Sequence, residues 1–101
     1  MTEVKFSNAA EADLVEIDEF SLAQFGEEVG ESYMQGFTNA FALLARHPKA
    51  GGAKPKLGKG IRCYMCRRHR IFYRIDGAVV LIVRVVHHSR DAKRTLKGAV
   101  G

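Results

Sequence analysis

The feature that most constrains this chain is a pair of apolar runs joined by Asp76–Gly77. An Asp-Gly dipeptide between two apolar runs is a strong signal for a tight hairpin turn. The second run extends from Ala78 to Val83 and continues past Arg84 to Val86. It suits a buried strand and falls far short of the roughly 20 apolar residues that a membrane helix needs. We therefore expect a core built around an antiparallel hairpin of strands.

This hairpin belongs to a set of three strands in the second half of the chain. After Gly60 the pattern changes to a period of two, which is typical of strands. The predicted strands are Ile61–Met65, His69–Ile75 and Val79–His87. A turn is expected over Cys66–Arg68, and a last short helix is predicted from Ser89 to a stop at Gly98.

The first half of the chain predicts one short strand and two helices. The strand is "EVKFS", and Ser7 is placed to cap the first helix. Apolar residues then recur at spacings of three and four until Gly26, which is placed to stop the helix. A second helix is expected over about Glu27–Arg46, since Pro48 biases the preceding residue away from helical geometry.

These elements predict an α+β fold in a single domain over residues 1–101, in the order β-α-α-β-β-β. The two helices form an antiparallel hairpin that packs on a mainly antiparallel sheet. At this length folding buries roughly 60–65% of the surface of the unfolded chain, which is enough for a core without disulfides.

Charge is unevenly distributed along the chain, whose net charge is +5. Residues 1–33 hold nine acidic residues and one lysine, whereas residues 46–97 hold fifteen basic residues and two aspartates. A basic half of this kind attracts an acidic protein or a nucleic acid. The alternative is a solvated basic face without a specific partner.

The stretch "RCYMCRRHR" raises the question of a metal or redox site. Zinc would need Cys63, Cys66 and His69 together with His87 or His88, because the chain has no second pair of cysteines. A redox motif would need to begin a helix in a βαβ unit, and none is predicted. Two cysteines at odd spacing in a strand face opposite ways. The sequence therefore favours two small hydrophobic residues near a turn, without a metal or cofactor.

Other candidate residues lie on the predicted strands. Arg62, Arg74 and Arg84 fall on three successive strands and would form an anion-binding cluster if all faced one side. The alternative is a row of solvated or locally paired side chains. His87 and His88 end the last strand, where either can serve as an acid or base or simply as a hydrogen-bonded edge residue.

Taken together, several segments resemble the ParE branch of the RelE/ParE superfamily of bacterial toxins. They are "FSNAAEADLVEIDEFSLAQFG", "HPKAG", "GIR", "HRIFYRID" and "VLIVRVVHHSRD", and the resemblance covers nearly the whole chain. It implies two helices on an antiparallel sheet and the toxin of a type II toxin–antitoxin pair. The implied partner is a ParD-type antitoxin with a DNA-binding, dimerising N-terminal domain and a C-terminal segment that wraps the toxin.

The superfamily contains two activities, and the helix pair and the text "FYRID…RVVHHSRD" of this chain look more like ParE. RelE-like members cleave mRNA on the ribosome, and here Arg62, Arg84, His87 and His88 fall near the positions that would do so. ParE-like members inhibit DNA gyrase. The last tyrosine of this chain is Tyr73, so no phenol follows "HHSRD", and we expect inhibition by binding rather than catalysis. A non-toxic co-repressor is the third alternative.

The resemblance also implies partners and a location. We expect a hetero-oligomer with the antitoxin, contact with operator DNA only through that antitoxin, and no membrane association. No export signal is evident, so the cytoplasm is the expected location, where cysteines stay reduced. The residues expected to bind antitoxin or target are Arg62, Arg74, Arg84, His87, Arg90 and Arg94.

Overall fold

The computed structural model describes residues 2–97, which form one five-stranded sheet with a long, interrupted helix on one face. The strands are β1 (Glu3–Phe6), β2 (Gly52–Ala53), β3 (Arg62–Cys66), β4 (His69–Asp76) and β5 (Val79–His87); the helices are α1 (Asn8–Arg46) and α2 (Ala92–Leu96), with a short 3-10 helix over Pro55–Leu57. The strand order is β1-β5-β4-β3-β2. Only the β1–β5 pair among them is parallel, so the predicted mainly antiparallel sheet is confirmed.

Helix α1 is a hairpin of two arms, as the sequence predicted. Gly26 has φ 83° and ψ 174°, a conformation outside the helical region, and it separates a first arm (8–25) from a second arm (27–46). The arms fold back on each other closely, since a Cβ added to Gly30 would lie 3.4 Å from the Cα of Leu22. A glycine at this crossing lets the two backbones approach.

The ends of α1 also match their predicted positions. The Ser7 hydroxyl accepts a hydrogen bond from the N–H of Ala10 at 3.0 Å, which satisfies a free donor of the first turn. At the other end His47 donates its N–H to the Leu43 carbonyl at 2.7 Å, and Pro48 follows.

The core lies on both faces of the sheet. Under α1, Val80 and Ile82 of β5 pack with buried residues of the second arm. On the opposite face, Val83 and Val86 pack with Leu96 of α2. Because β5 is covered on both sides, its sequence is almost continuously apolar instead of alternating.

A β-bulge in β5 resets the alternation of its side chains. The register with β4 shifts between Phe72 and Tyr73, which leaves Val83 as an extra residue. The face under α1 therefore holds even-numbered residues of β5 before the bulge and odd-numbered residues after it, including Val85 and His87. The bulge therefore determines which side chains at the end of β5 face α1.

Some predicted boundaries were wrong. Cys66 completes β3 by pairing with the first residue of β4 instead of opening the turn. The last helix begins at Ala92 and not at Ser89, because the Asp91 side chain caps it by accepting an N–H from its first turn. The short strand β2 was not predicted. The expected stop at Gly98 lies outside the described residues.

Candidate functional site

The site forms where β5 extends past the end of β1. Strand β1 ends at Phe6, and beyond it the described chain places no strand on that side of β5. Two residues near the start of α1 form side-chain hydrogen bonds with the backbone of β5 at this edge. The Ser7 hydroxyl donates to the Val83 carbonyl at 2.7 Å, and the Asp13 carboxylate accepts the N–H of Val85 at 2.9 Å. The edge is thus closed by the side chains of the N-cap residue and of the first arm.

The Asp13 carboxylate also binds the Arg84 side chain at two points. Arg84 Nε lies 2.7 Å from Oδ2 and Nη2 lies 2.8 Å from Oδ1, while Nη1 donates to the Thr95 carbonyl at 3.3 Å. The hydrogen bond to Asp13 raises the pKa of Arg84 above its ordinary value, and partial burial opposes that rise. Arg84 therefore links the first arm, β5 and α2.

Beside this ion pair lies a groove of about 800 Å³, between the first arm of α1 and the ends of β4 and β5. Its walls include the aromatic rings of Phe20, Phe25 and Tyr33 and the basic side chains of Arg68 and Arg90. Aromatic and arginine side chains are enriched at protein interfaces. The lining is therefore suited to an apolar segment that carries acidic groups.

A row of histidines lies at the strand end of the groove. His69 and His87 are cross-strand partners with ring centres 5.4 Å apart, and the His88 ring lies 4.4 Å from that of His87. The His69 ring meets Phe37 edge-on, and its Nδ1 lies 3.4 Å from the Tyr33 hydroxyl. Burial lowers the pKa of His69, and positive charge on its two histidine neighbours lowers it further.

The β3–β4 turn fixes one wall of the groove. Arg67 has φ 57°, donates to the Ser32 carbonyl at 3.0 Å, and places its guanidinium 5.1 Å from the ring centre of Tyr33. A Cβ on Gly36 would lie 2.6 Å from Arg67 Nε, so the absence of a side chain there admits the arginine. Arg67 thus holds Tyr33 from the turn while its neighbour Arg68 stays exposed at the groove.

A second arginine positions the segment after β5. Arg70 Nη2 donates to the Arg90 carbonyl, and its guanidinium lies 5.5 Å from the ring centre of Phe72. The Arg90 side chain is exposed and lines the groove. The hydrogen bond from Arg70 therefore fixes the backbone at Arg90 and leaves the charge of the Arg90 side chain available.

Large apolar side chains are exposed on both arms of α1, near their bend at Gly26. Phe20 is 63% exposed, Leu22 52%, Phe25 52% and Val29 54%. The arms meet near Ser21 and Gly30, and Ser21 is only 1% exposed. Phe20 and Phe25 also line the groove, and exposed apolar surface beside a groove is typical of a site that binds another protein.

The three strand arginines do not form the cluster that the sequence suggested. Arg62 lies opposite Tyr73, and Arg74 occupies the next position of β4, so these two face opposite sides of the sheet. Arg62 donates to the Gly51 carbonyl at 2.8 Å and so holds the loop after α1. Arg84 is engaged by the first arm.

The groove collects only part of the predicted binding set. The predicted residues that line it are Arg84, His87 and Arg90. Arg94 lies on the exposed surface of α2. Sequence reasoning did not propose Tyr33 or Arg68 as binding residues, because neither spacing nor composition shows that the second arm and the β3–β4 turn meet there.

The two cysteines lie on opposite faces of β3. Cys66 belongs to the core under α1, whereas Cys63 packs against the core on the other face. Burial raises the pKa of both thiols, and nearby arginines partly oppose that rise. Within residues 2–97 no group of three or more histidine, cysteine or acidic side chains is arranged to hold a metal ion. The same residues include no helix that is long and apolar enough to cross a bilayer.

Comparison with protein families gives a match over most of the chain. Residues 4–92 match the model of the ParE toxin of type II toxin–antitoxin system, parDE. The chain is 32% identical over 91 residues to Toxin ParE1 of Mycobacterium tuberculosis, covering 89% of this chain and 93% of the relative. It is 32% identical over 96 residues to Toxin ParE1 of Caulobacter vibrioides, covering 95% and 99%.

Solved structures show the same fold. A chain of the chromosomal ParDE TA system from P. aeruginosa superposes with a TM-score of 0.74 at 21% identity, covering 86% of this chain and 96% of that one. A chain of the toxin–antitoxin complex RelBE2 from Mycobacterium tuberculosis gives a TM-score of 0.58 at 28% identity, covering 85% and 96%. The predicted RelE/ParE-like fold is confirmed.

Proposed function

Because this chain belongs to the ParE family and is a toxin of a type II toxin–antitoxin system, we propose that it inhibits DNA gyrase by binding and that a ParD-type antitoxin neutralises it. The toxin then needs no chemistry of its own. Gyrase inhibition requires action in the cytoplasm, and operator DNA would be reached only through the antitoxin.

The observation that most supports binding over RNA cleavage is the placement of the four candidate catalytic residues. Arg62 holds a loop and Arg84 is paired with a carboxylate, so neither guanidinium is free to stabilise a phosphorane. His87 Nδ1 accepts the N–H of Ser89 at 3.2 Å. His88 comes directly after β5, in the turn that follows the strand. Arg84 and His87 line the groove, but Arg62 is held at the loop after α1 and is not among the lining residues, so the four residues do not form one site for a 2′-hydroxyl and a phosphate.

The groove supports the antitoxin half of the proposal. It offers Phe20, Phe25 and Tyr33 to apolar side chains, and Arg68 and Arg90 to acidic ones. A segment that is disordered alone loses conformational entropy when it binds, and contacts with the apolar rings and the exposed arginines of the groove offset that cost. We therefore propose that the occupant is an acidic, amphipathic segment of the antitoxin.

Purified toxin separates the three candidate functions. We expect it to block gyrase supercoiling or to trap cleaved DNA, and to leave mRNA intact on ribosomes. Cleavage of ribosome-bound mRNA with untouched gyrase would overturn the gyrase proposal in favour of the ribonuclease. A protein that affects neither, yet strengthens operator binding by its antitoxin, would support the co-repressor.

A separate binding experiment tests the groove. Arg90→Glu replaces an exposed cation at its mouth, and we expect the antitoxin affinity to fall on the order of tenfold, with a weaker dependence on salt. Arg46→Glu makes the same charge change at an exposed position outside the groove and serves as the control. Equal affinities of the two variants would remove Arg90 from the interface.

A further inference from the structure

The outer edge of β1 is open in the part of the chain that the structure describes. Glu3 and Ser7 donate their N–H groups to carbonyls in and just before β5, at 3.1 and 2.9 Å respectively, so residues 3, 5 and 7 turn their backbone groups inward. Successive residues of a strand direct these groups to opposite sides. The N–H and C=O groups of Val4 and Phe6 therefore point outward and can pair with another strand.

We propose that this edge pairs with β1 of a second copy of the chain, antiparallel and centred on Val4. In this register the two Val4 residues exchange backbone hydrogen bonds across a two-fold axis. Glu3 of each copy then lies directly opposite Lys5 of the other, on the face of the sheet away from α1. Two opposite-charge pairs form by symmetry, and such cross-strand pairs stabilise a sheet.

The charges select this register among the alternatives. An antiparallel pair centred on Lys5 sets the two lysines against each other, and one centred on Glu3 opposes the two glutamates. Parallel pairing in register opposes like charges at both positions. The sequence Glu3-Val4-Lys5 is therefore complementary to itself in the Val4-centred antiparallel arrangement.

The face of the sheet that carries α1 is also compatible with this two-fold axis. A shallow hollow of about 400 Å³ lies beside β1. Among the described residues 2–97, none of those that line it has a charged side chain. Val4 and Phe6 line it from β1. Phe41 and the smaller Thr38 and Ala42, which are one helical turn apart, line it from the second arm of α1. A two-fold axis perpendicular to the sheet brings the two hollows together, so apolar walls meet apolar walls.

The dimer is expected to be weak. β1 has four residues, so the strand pair and the hollow bury less surface than the roughly 1,200–2,000 Å² of a stable interface. Association is therefore expected with a dissociation constant on the order of micromolar to millimolar.

Reversal of charge tests the register directly. Glu3→Lys places two lysines opposite each other at each pair, and Lys5→Glu places two glutamates there. Sedimentation equilibrium of the purified full chain should show each single variant dimerising on the order of tenfold more weakly than the unchanged protein. The double variant Glu3→Lys/Lys5→Glu restores opposite charges and should recover dimerisation, and an equimolar mixture of the two single variants should form a mixed dimer.

Two charge reversals outside β1 serve as controls. Glu27→Lys and Lys59→Glu make the same charge changes at exposed positions away from β1 and should dimerise like the unchanged protein. The proposal is overturned by a chain that stays monomeric up to about 1 mM. It is also overturned by single variants that dimerise normally, or by a double variant that does not recover. Amide protection of Val4 and Phe6 only when an antitoxin is added would assign the edge to that partner instead.

Discussion

The carboxylate of Asp13 holds the guanidinium of Arg84 through two hydrogen bonds of 2.7 and 2.8 Å. The same carboxylate accepts the N–H of Val85, so one side chain binds both the guanidinium and the backbone at the edge that β1 leaves open. The pair is partly shielded from water, with side-chain exposures of 20% for Arg84 and 12% for Asp13. An ion pair of this kind matters to the fold more than an exposed one, because removing one partner leaves the other without compensation.

Asp13→Asn keeps the shape of this side chain and removes its charge. We expect the free energy of unfolding to fall by about 2 kcal/mol, the range of hydrogen bonds to charged groups. Urea denaturation measures the loss. Asp18→Asn changes an exposed carboxylate on the same arm and should stay within about 0.5 kcal/mol of the unchanged protein. Equal losses would mean that the ion pair contributes no more than general surface charge.

Tyr73→Phe removes a buried hydroxyl that serves two partners. The hydroxyl accepts the N–H of Gly51 at 2.9 Å and donates to the Pro48 carbonyl at 2.6 Å, and the side chain is fully buried. A loss of about 1–3 kcal/mol is expected, since both backbone groups lose a partner away from water. Tyr64→Phe, at a half-buried position, is the control. Faster amide exchange at Gly51 should accompany the loss; unchanged exchange would contradict this explanation.

Gly26→Ala tests the break between the two arms. The backbone at Gly26, φ 83° and ψ 174°, lies in a region that is essentially restricted to glycine, so alanine is expected to cost about 1–3 kcal/mol. A Cβ there meets no atom within 4 Å, so the cost would come from the backbone alone. Gly52→Ala also adds a Cβ in open space, but at a φ that is not positive, and should be nearly neutral. The melting temperatures of the two variants distinguish backbone strain at Gly26 from the general effect of replacing a glycine with alanine.

His69 makes stability depend on pH in a defined direction. Burial first, and then the charges of His87 and His88, lower its pKa below the ordinary value of 6.5, while Asp13 opposes them. The folded chain therefore binds the proton less readily than the unfolded chain. The stabilisation is complete above pH 6.5 and is lost as the pH falls below that value toward the lower pKa of the folded state.

The measurement compares denaturation midpoints at pH 7.5 and pH 5. His69→Gln cannot take up this proton, so its midpoint should fall less between the two values than that of the unchanged protein. An NMR titration of the His69 ring gives its pKa independently. Parallel decreases in both proteins, or a ring that titrates above 6.5, would contradict the assignment.

Local signals predicted most of the fold. Asp76–Gly77 set the β4–β5 hairpin, and Gly26 and Pro48 set the ends of the two arms, because each acts through the backbone of its own neighbourhood. Strand β2 was missed, since its pairing depends on Arg62, which holds the Gly51 carbonyl from another segment. The short strand carries no pattern of its own.

The candidate site was harder to predict because its members come from distant segments. Tyr33 and His69 are 36 residues apart, and they meet because the second arm of α1 packs on the sheet at the start of β4. The strand arginines failed as a cluster for a different reason. Arg84 is bound by Asp13, which lies 71 residues earlier, and no local spacing shows such a pair. The binding roles of the arginines therefore stay predictions.

The extra residue at Val83 has a consequence for how this strand can change in evolution. The bulge inserts one extra residue between the two halves of β5. Even-numbered side chains face α1 before the bulge, and odd-numbered side chains face α1 after it. Loss of a single residue here would leave a strand just as apolar in composition, yet His87 would turn away from the groove. Relatives that share the groove must therefore keep the spacing between the hairpin turn and His87, even where the apolar residues between them are exchanged freely.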